Sequence, residues 1–505
     1  MHPVALTAES PPGLRRRDLA PAVAVAAGVV VLRVLLSGRY GFHRDELVAL
    51  AAGRHPAAGY PDQAPGIPLA TRALSAAIGV HLWPLRVLAG LAHGAVVMAT
   101  AALAATVGGR RQTIGLAALV AALAPLFLAQ GSLFLPPVFD LLWWALAILV
   151  VARLLAGADP RWWLAVGALV GVGLETRGTM LLLAAGLAVG LVAVPEGRAQ
   201  LRSPWLWAGA GVAVALWLPN LAWEAGHGWP VADVAAGVRD HVRADGGPLD
   251  VARRQIVLAG PAALGLAALG TAVLARRPWR PLLVAVGVVV VLVLATGGRA
   301  TYLGPLYVPL VAAGAVLADR WIGVDPTRWH QVVTVVVVAG LIALPAVTPL
   351  LPPADYGSLV HDIDGQVGEE VGWPEMVHLV GTVRRVLPDE EQDGLMVVTA
   401  GSGEAAAIDL YGPAEGMPRG TALSAAAGAR DRWPDGQPAG TVIFVRFPRR
   451  VVEQFCDSLG PVAAVGNDAR VPNRAYLADI AVCRTLRVTP GELRAGLARW
   501  SDPEM

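Results

Sequence analysis

Lysine is absent from the 505 residues, and all 40 basic side chains are arginine. Cysteine occurs twice, aromatic residues make up 6% and charged residues 15%, where ordinary globular domains carry about 25% charge. Two cysteines are too few for a disulfide-framed secreted domain. No basic run interleaves with aromatics in the manner of a nucleic-acid surface. No segment is low-complexity, which excludes disordered and collagen-like chains. So little charge also excludes a string of soluble domains, although the length would suggest roughly three. What is present is apolar: 55% of residues are hydrophobic, and mean hydropathy is +0.56. The chain reads as a membrane protein.

The net charge of +2 divides unevenly. Residues 1–350 carry 26 arginines against 16 acids, and residues 351–505 carry 14 against 22. A bilayer core is crossed by about 20 apolar residues in a helix. On that measure roughly eleven spans are expected, at 20–37, 84–107, 113–130, 135–156, 161–175, 178–195, 205–223, 255–275, 280–296, 301–318 and 330–350. Arg15, Arg16 and Arg17 precede the first span and place the N-terminus in the cytoplasm by the positive-inside rule. Short loops bearing Arg110, Arg111, Arg153, Arg161, Arg198, Arg202, Arg276, Arg277, Arg280, Arg320 and Arg328 then share that side. An odd number of spans puts the tail outside, together with the long loops 38–83 and 224–254. The expected organisation is a transmembrane domain over 1–351 and an extracytoplasmic α/β domain over 352–505. Short apolar runs at 395–399, 441–445, 462–466 and 480–484 have strand length, with helix-like stretches at 373–386, 403–411, 449–459 and 490–500 between them. Cys456 and Cys483 both fall in this tail, where a disulfide and two buried thiols stay open as alternatives. The glycine-rich turn at 400–404 lacks the Lys-Ser/Thr ending of a phosphate loop and is discounted.

Acids are scarce in the membrane half, so their positions are informative. The first outer loop opens with His43, Arg44, Asp45 and Glu46 and continues to Asp62 and Gln63. Asp140 starts the fourth span on the same face, Glu175 and Arg177 lie between the fifth and sixth, and Arg299 and Tyr302 sit at a later outer turn. Hydration in the headgroup zone accounts for any one of these alone. Together they suit a reaction between a lipid phosphate and a polar acceptor: a carboxylate takes a hydroxyl proton, and arginine holds the departing phosphate. His43 and His55 stand near Asp45, but no H-E-x-x-H spacing supports a metal, so no cofactor is required and a divalent ion stays open. Arg33 and Arg86, near span ends, read as snorkelling side chains, with a cavity-facing place as the alternative. The adjacent pairs Trp143–Trp144 and Trp162–Trp163 read as lipid-packing residues facing two directions.

RDELVALAAGRHPAAGYPDQAPGIPL (44–69), PVFDLLWWALA (137–147), GLETRGTML (173–181), GGRATYLGPLYVPLVAAGA (297–315) and GWPEMV (372–377) carry a resemblance. The sequence resembles the GT-C superfamily of polytopic glycosyltransferases, in particular the bacterial dolichyl-phosphate-mannose–protein mannosyltransferase-like group, with the lipid A aminoarabinose transferases as relatives. The resemblance implies transfer of a hexose or pentose from a polyprenyl-phosphate donor to a lipid, glycan or protein acceptor. The reaction would be inverting and take place on the outer face of a bacterial plasma membrane, within the cell envelope. It gives Asp45 the role of general base, with Glu46 supporting it. Asp140, Asp62, Gln63, His43 and Tyr302 become substrate contacts, and Arg44, Arg177 and Arg299 contacts to the donor phosphate. Departures occur at Leu47 and Val48, where relatives often carry aromatics, at Ala64–Pro65 in place of Pro-Pro, and at Thr301–Tyr302 in place of a tyrosine pair. The competing readings are a transporter or flippase for a sugar-lipid, and an inactive sugar-lipid sensor. Transport is disfavoured by charges gathered at one face and by the lack of an evident internal repeat.

Overall fold

The computed structural model describes residues 16–359, 366–392, 394–426, 433 and 440–497. Arg15 and the last residues of the helix expected at 490–500 lie outside the described residues. Each of the eleven apolar stretches is helical, as it must be in hydrocarbon, where backbone groups have no partners but each other. Among the described residues six helices are long and apolar enough to cross a bilayer: Leu82–Thr106, Pro136–Leu155, Pro204–Gly226, Gly247–Leu274, Ala300–Ile322 and Pro326–Val347. Met180–Ala193 and Pro195–Leu201, bent by 107°, form a seventh if the pair is one span. Ala20–Leu36, Arg111–Leu123 and Arg280–Thr296 are apolar but shorter.

The stretch at 113–130 is not one straight helix. Ala124 is extended (φ −63°, ψ 135°) between Arg111–Leu123 and Pro125–Gln130, because the residue before a proline is pushed out of the α region. Gly247–Leu274 and Ala300–Ile322 lie against each other where Gly270 faces the Leu310 carbonyl and Gly314 the Leu266 carbonyl, with no room for a Cβ at either. Such small-residue contacts let membrane helices approach closely. The tryptophan pairs divide between two environments. Trp144 and Trp163 are buried core residues and Trp162 is exposed, while Trp143 donates its indole N–H to Thr176 Oγ1 at 3.1 Å. Lipid packing therefore does not account for Trp144 or Trp163.

Arg33 and Arg86 do not snorkel. They are 3% and 2% exposed, and each finds a partner inside the protein: Arg33 donates to the Leu128 carbonyl, and Arg86 enters the network described below.

The tail folds on a five-stranded sheet of order β2-β1-β3-β5-β4, with β1 Met396–Thr399, β2 Ala422–Ser424, β3 Val442–Val445, β4 Leu459–Ala464 and β5 Asp479–Cys483. β2, β1 and β3 are parallel, and β5 is antiparallel to β3 and β4. The run expected at 462–466 is paired earlier, from Leu459, and the three-residue β2 was not anticipated. Trp373–Arg385 and Ser402–Tyr411 pack on the sheet as expected, while the helix expected over 449–459 closes after Val452. Cys456 and Cys483 form a disulfide, with Cα atoms 5.7 Å apart.

Arg44–Gly53, the first short helix of the loop after Ala20–Leu36, belongs to two cores. On one side Leu47 and Ala51 are buried with Trp373, Met376, Val377 and Ala407 of the tail. On the other, Ala49 and Leu50 pack with Ile67, Leu85, Ala89 and Phe134 of the membrane bundle. Full burial of a leucine such as Leu47 contributes about 1.5–3 kcal/mol. The helix is the joint between membrane and soluble parts.

The disulfide closes a segment of 27 residues, for which loop-closure entropy gives a stabilisation of about 3–4 kcal/mol. Replacing both cysteines (Cys456→Ser with Cys483→Ser) is expected to lower the thermal midpoint at which protease cleaves the tail. An unchanged midpoint would show that the bond does not constrain the domain.

Candidate active site

The helix Arg44–Gly53 begins with a reciprocal cap. His43, extended at the N-cap, accepts the Asp45 N–H on Nδ1 at 3.1 Å, and its own N–H donates to Glu46 Oε2 at 2.9 Å. Two otherwise orphaned amides are satisfied in this way. Since Nδ1 accepts, the proton of a neutral ring sits on Nε2, and burial, outweighing Asp45 and Glu46, holds the His43 pKa below its ordinary value. His43 is fully buried. It shapes the turn, and its Nδ1 is committed to the backbone. Among the described residues no group of three His, Cys, Asp or Glu is arranged to hold a metal.

The neighbours Asp45 and Glu46 face opposite environments. Glu46 is 1% exposed. Its Oε1 accepts from Phe134 N at 3.1 Å, and its Oε2 also accepts from Arg86 Nη2 at 3.1 Å. Arg86 Nη1 reaches Glu370 Oε2 at 2.7 Å, and Nη2 also donates to the Gly41 carbonyl at 2.8 Å. Gly41 N–H in turn donates to the Glu370 carbonyl at 3.0 Å. Glu46 is thus a sealed strut, which sets it apart from the solvent-facing Asp45.

Asp45 has a side chain 44% exposed and pairs with Arg44 Nε at 2.8 Å. Partial enclosure alone would raise its carboxyl, but Arg44, His43 and Arg474 outweigh that and hold it down at about 2. Arg44 fits because position 403, against its methylenes, is glycine. Arg299 interacts with Tyr302, Arg177, Asp45 and Arg474, and burial lowers its affinity for its proton. Arg177 lies over the Tyr302 ring, 4.9 Å from its centroid, and interacts with Asp140. Asp140 is 3% exposed and accepts from Thr179 Oγ1 at 2.7 Å. One continuous cluster therefore runs from Asp45 through Arg299 and Arg177 to Asp140. It gathers Arg44, Arg177, Arg299 and Arg474 against Asp45, Asp140 and Glu369.

Asp62 and Gln63 lie half-buried in the loop between Arg44–Gly53 and Gly66–Ile78. Tyr60 pins that loop through its hydroxyl to the Ala52 and His55 carbonyls at 3.2 and 3.0 Å, and Asn220 through its donation to the Ala58 carbonyl at 3.0 Å. Sequence reasoning missed Glu369, Glu370 and Arg474, and favoured snorkelling for Arg86 over the inward-facing alternative that the structure shows. For Arg86 a signal existed, since an arginine within an apolar span needs a buried partner. For the tail residues none did, because their positions follow from docking. Arg474 arrives on a turn whose N–H is held by Glu369 Oε1 at 3.0 Å.

Residues 62–223, just under a third of the chain, match the family model for dolichyl-phosphate-mannose–protein mannosyltransferase. The whole chain superposes on ArnT from Cupriavidus metallidurans. Its apo form gives a TM-score of 0.57 at 14% identity, covering 92% of this chain and 98% of that one. The chain shares the ArnT fold. ArnT bound to undecaprenyl phosphate gives a TM-score of 0.54 at 14% identity, over 93% and 99% of the two chains. The oligosaccharyltransferase AglB from Archaeoglobus fulgidus, in complex with an inhibitory peptide and a dolichol-phosphate, gives 0.48 at 12% identity, over 87% and 70%. No curated protein matches the chain. The family match contains Asp62, Gln63, Asp140 and Arg177 and begins beyond Asp45.

Glu370 sets the pH behaviour of the joint. Burial is the largest cause, Glu46 adds to it and Arg86 opposes it, leaving its carboxyl pushed up to about 7 from an ordinary 4.5. Between those values the folded protein binds a proton that the unfolded chain releases, so this group's contribution to stability declines as pH rises. Glu369, also raised, chiefly by burial, has the same sign. Asp45 has the opposite sign, and its contribution is lost only as pH falls towards about 2. The midpoint of tail unfolding is therefore expected to fall by a few degrees between about pH 5 and 8, less steeply in Glu370→Gln. An identical slope in that variant would remove Glu370 as its source.

Proposed function

We propose that this chain is a glycosyltransferase that moves a sugar from a polyprenyl-phosphate donor to a hydroxyl-bearing acceptor with inversion, using Asp45 as general base. The observation that carries the reading is the half-exposed, ionised Asp45 carboxylate within a cluster of Arg44, Arg177, Arg299 and Arg474. That the ArnT structure of the same fold holds undecaprenyl phosphate supports a lipid phosphate as ligand. In the reaction the acceptor oxygen attacks the anomeric carbon from the face opposite the phosphate. The new C–O bond forms as the bond to the phosphate oxygen breaks, and the electron pair leaves with polyprenyl phosphate. A single displacement inverts the anomeric centre. The acceptor proton passes to Asp45. A carboxylate held this low takes a proton only as the attacking oxygen becomes cationic, so the transfer is late. Guanidinium groups stabilise the charge that grows on the leaving phosphate.

Arg177 and Arg299 are the donor-phosphate contacts in this reading, with Arg44 orienting Asp45. Asp140, held by Thr179 and facing Arg177, is the contact to sugar or acceptor, with Tyr302 beside it. Asp62 and Gln63, half-buried in the loop after Arg44–Gly53, are further candidate substrate contacts. The short arginine-bearing loops support a cytoplasmic N-terminus and an extracytoplasmic tail.

The full-length protein is incubated with a polyprenyl-phosphate sugar, and release of polyprenyl phosphate is followed by mass spectrometry. Asp45→Asn is expected to lower kcat by about 10²–10⁴, and Arg299→Ala by about 10²–10³. Undiminished turnover in Asp45→Asn removes it as the base. Sugar-lipid flux in proteoliposomes with no covalent product would favour a transporter instead.

A further inference from the structure

Glu46, Arg86 and Glu370 are buried, at 1%, 2% and 2% exposure, and none of them faces the arginine cluster. They nevertheless tie together the helix that presents Asp45, two membrane helices and the soluble domain. Glu46 belongs to the helix that presents Asp45. Arg86 lies near the start of Leu82–Thr106. Phe134, whose N–H donates to Glu46 Oε1, belongs to the outer turn just ahead of Pro136–Leu155, which carries Asp140. Glu370 comes from the soluble domain, in the short 3₁₀ turn Val367–Glu370.

We propose that Arg86 and Glu370 are positioning residues for the reaction at Asp45: through them the soluble domain fixes the helix end that presents the base. This rests on the reading of Asp45 above.

The geometry leaves little freedom. One guanidinium spans Glu46, Glu370 and the Gly41 carbonyl at 2.7–3.1 Å. Gly41 N–H returns to the Glu370 carbonyl at 3.0 Å, and Tyr40 Oη donates to the Leu351 carbonyl at 2.7 Å. Segment 40–46 is therefore sewn to the tail by backbone and side chain together. Asp45 follows, because its N–H is held by His43 Nδ1 while the His43 N–H is held by Glu46. Release of Glu46 frees both ends of that cap. Two carboxylates share one guanidinium away from water, so removing either charge changes the balance around the other. Arg33 and Tyr40 are the further groups that interact with Glu370. Mere glue would be felt in stability alone. A positioning role predicts an effect on kcat with donor binding retained, since a displacement of about 1 Å at a reacting group costs about 100-fold.

The test uses the full-length protein in nanodiscs, with two measurements. Turnover of a polyprenyl-phosphate sugar gives kcat and KM, and hydrogen exchange follows amides 43–47 against those of β1, β3 and β5. Glu370→Gln is expected to lower kcat about 10- to 100-fold, to leave the donor KM within about twofold, and to speed exchange at 43–47 about tenfold while the strands stay protected. Where the strands also loosen, Arg86→Lys is read by the same two measurements. It keeps the charge but replaces a planar fork by a single ammonium. Unchanged kcat with unchanged exchange at 43–47 overturns the proposal, as does a raised KM at constant kcat. Wild-type protein that turns over no such donor sinks the reading of Asp45, while exchange in the variants still decides whether the clamp holds the helix end.

Discussion

A single buried guanidinium organises the face of this protein that carries the acidic and arginine side chains of the site. Arg86 stands near the end of a membrane helix, where a free charge would be costly, and it is compensated by two carboxylates and a carbonyl. Glu46 and Gly41 come from the same stretch after the first helix, and Glu370 from the soluble domain. Arg86 and Glu370 lie far from that stretch and from each other in sequence. The shared guanidinium makes them neighbours in space, and the rest of the site is built out from that point.

The helix Arg44–Gly53 shows how packing reinforces the charge network. Ten residues cannot form a stable helix alone. This one is held because both faces are buried, in the tail core through Leu47 and Ala51 and in the bundle through Ala49 and Leu50. Arg54 adds an ion pair to Asp409 at the far end. Membrane and soluble parts therefore share one joint, and the residue offered to solvent at its tip is Asp45. Side by side in sequence, Asp45 and Glu46 divide into an exposed group within an arginine cluster and a sealed strut.

The cluster itself is cationic. Four arginines are drawn from the first loop, the turn after Trp163–Thr176, the turn before Ala300–Ile322 and the tail: Arg44, Arg299 and Arg474 act on Asp45, and Arg177 on Asp140. An anionic phosphate suits that field, and a neutral sugar beside it would be oriented by the carboxylates. Likeness to ArnT shows how such a fold is assembled, at an identity of 14% that leaves the particular side chains to be argued from this chain. The mannosyltransferase match spans 62–223 and so does not contain the cap His43–Glu46.

The sequence alone determined the periodic and compositional features. Apolar runs of span length become helices whatever their neighbours, because hydrocarbon offers the backbone no other partner, and all eleven stretches are helical. Alternating runs and turns announced the α/β tail, and scarce acids in an apolar half marked Asp45, Asp140 and the first loop. Local rules went wrong where a contact from far along the chain intervened. Arg33 and Arg86 looked like snorkelling residues, yet Leu128 and Glu370 hold them inside. Trp144 looked lipid-facing and is core. Glu46 was read as supporting Asp45, but nothing local showed that it would be sealed from solvent. Arg474 and Glu369 carried no signal, since nothing local distinguishes a tail arginine that reaches the membrane face from one that faces water. Tertiary docking decided these roles, because a charge's environment depends on partners hundreds of residues away, whereas a helix in lipid depends only on its own residues.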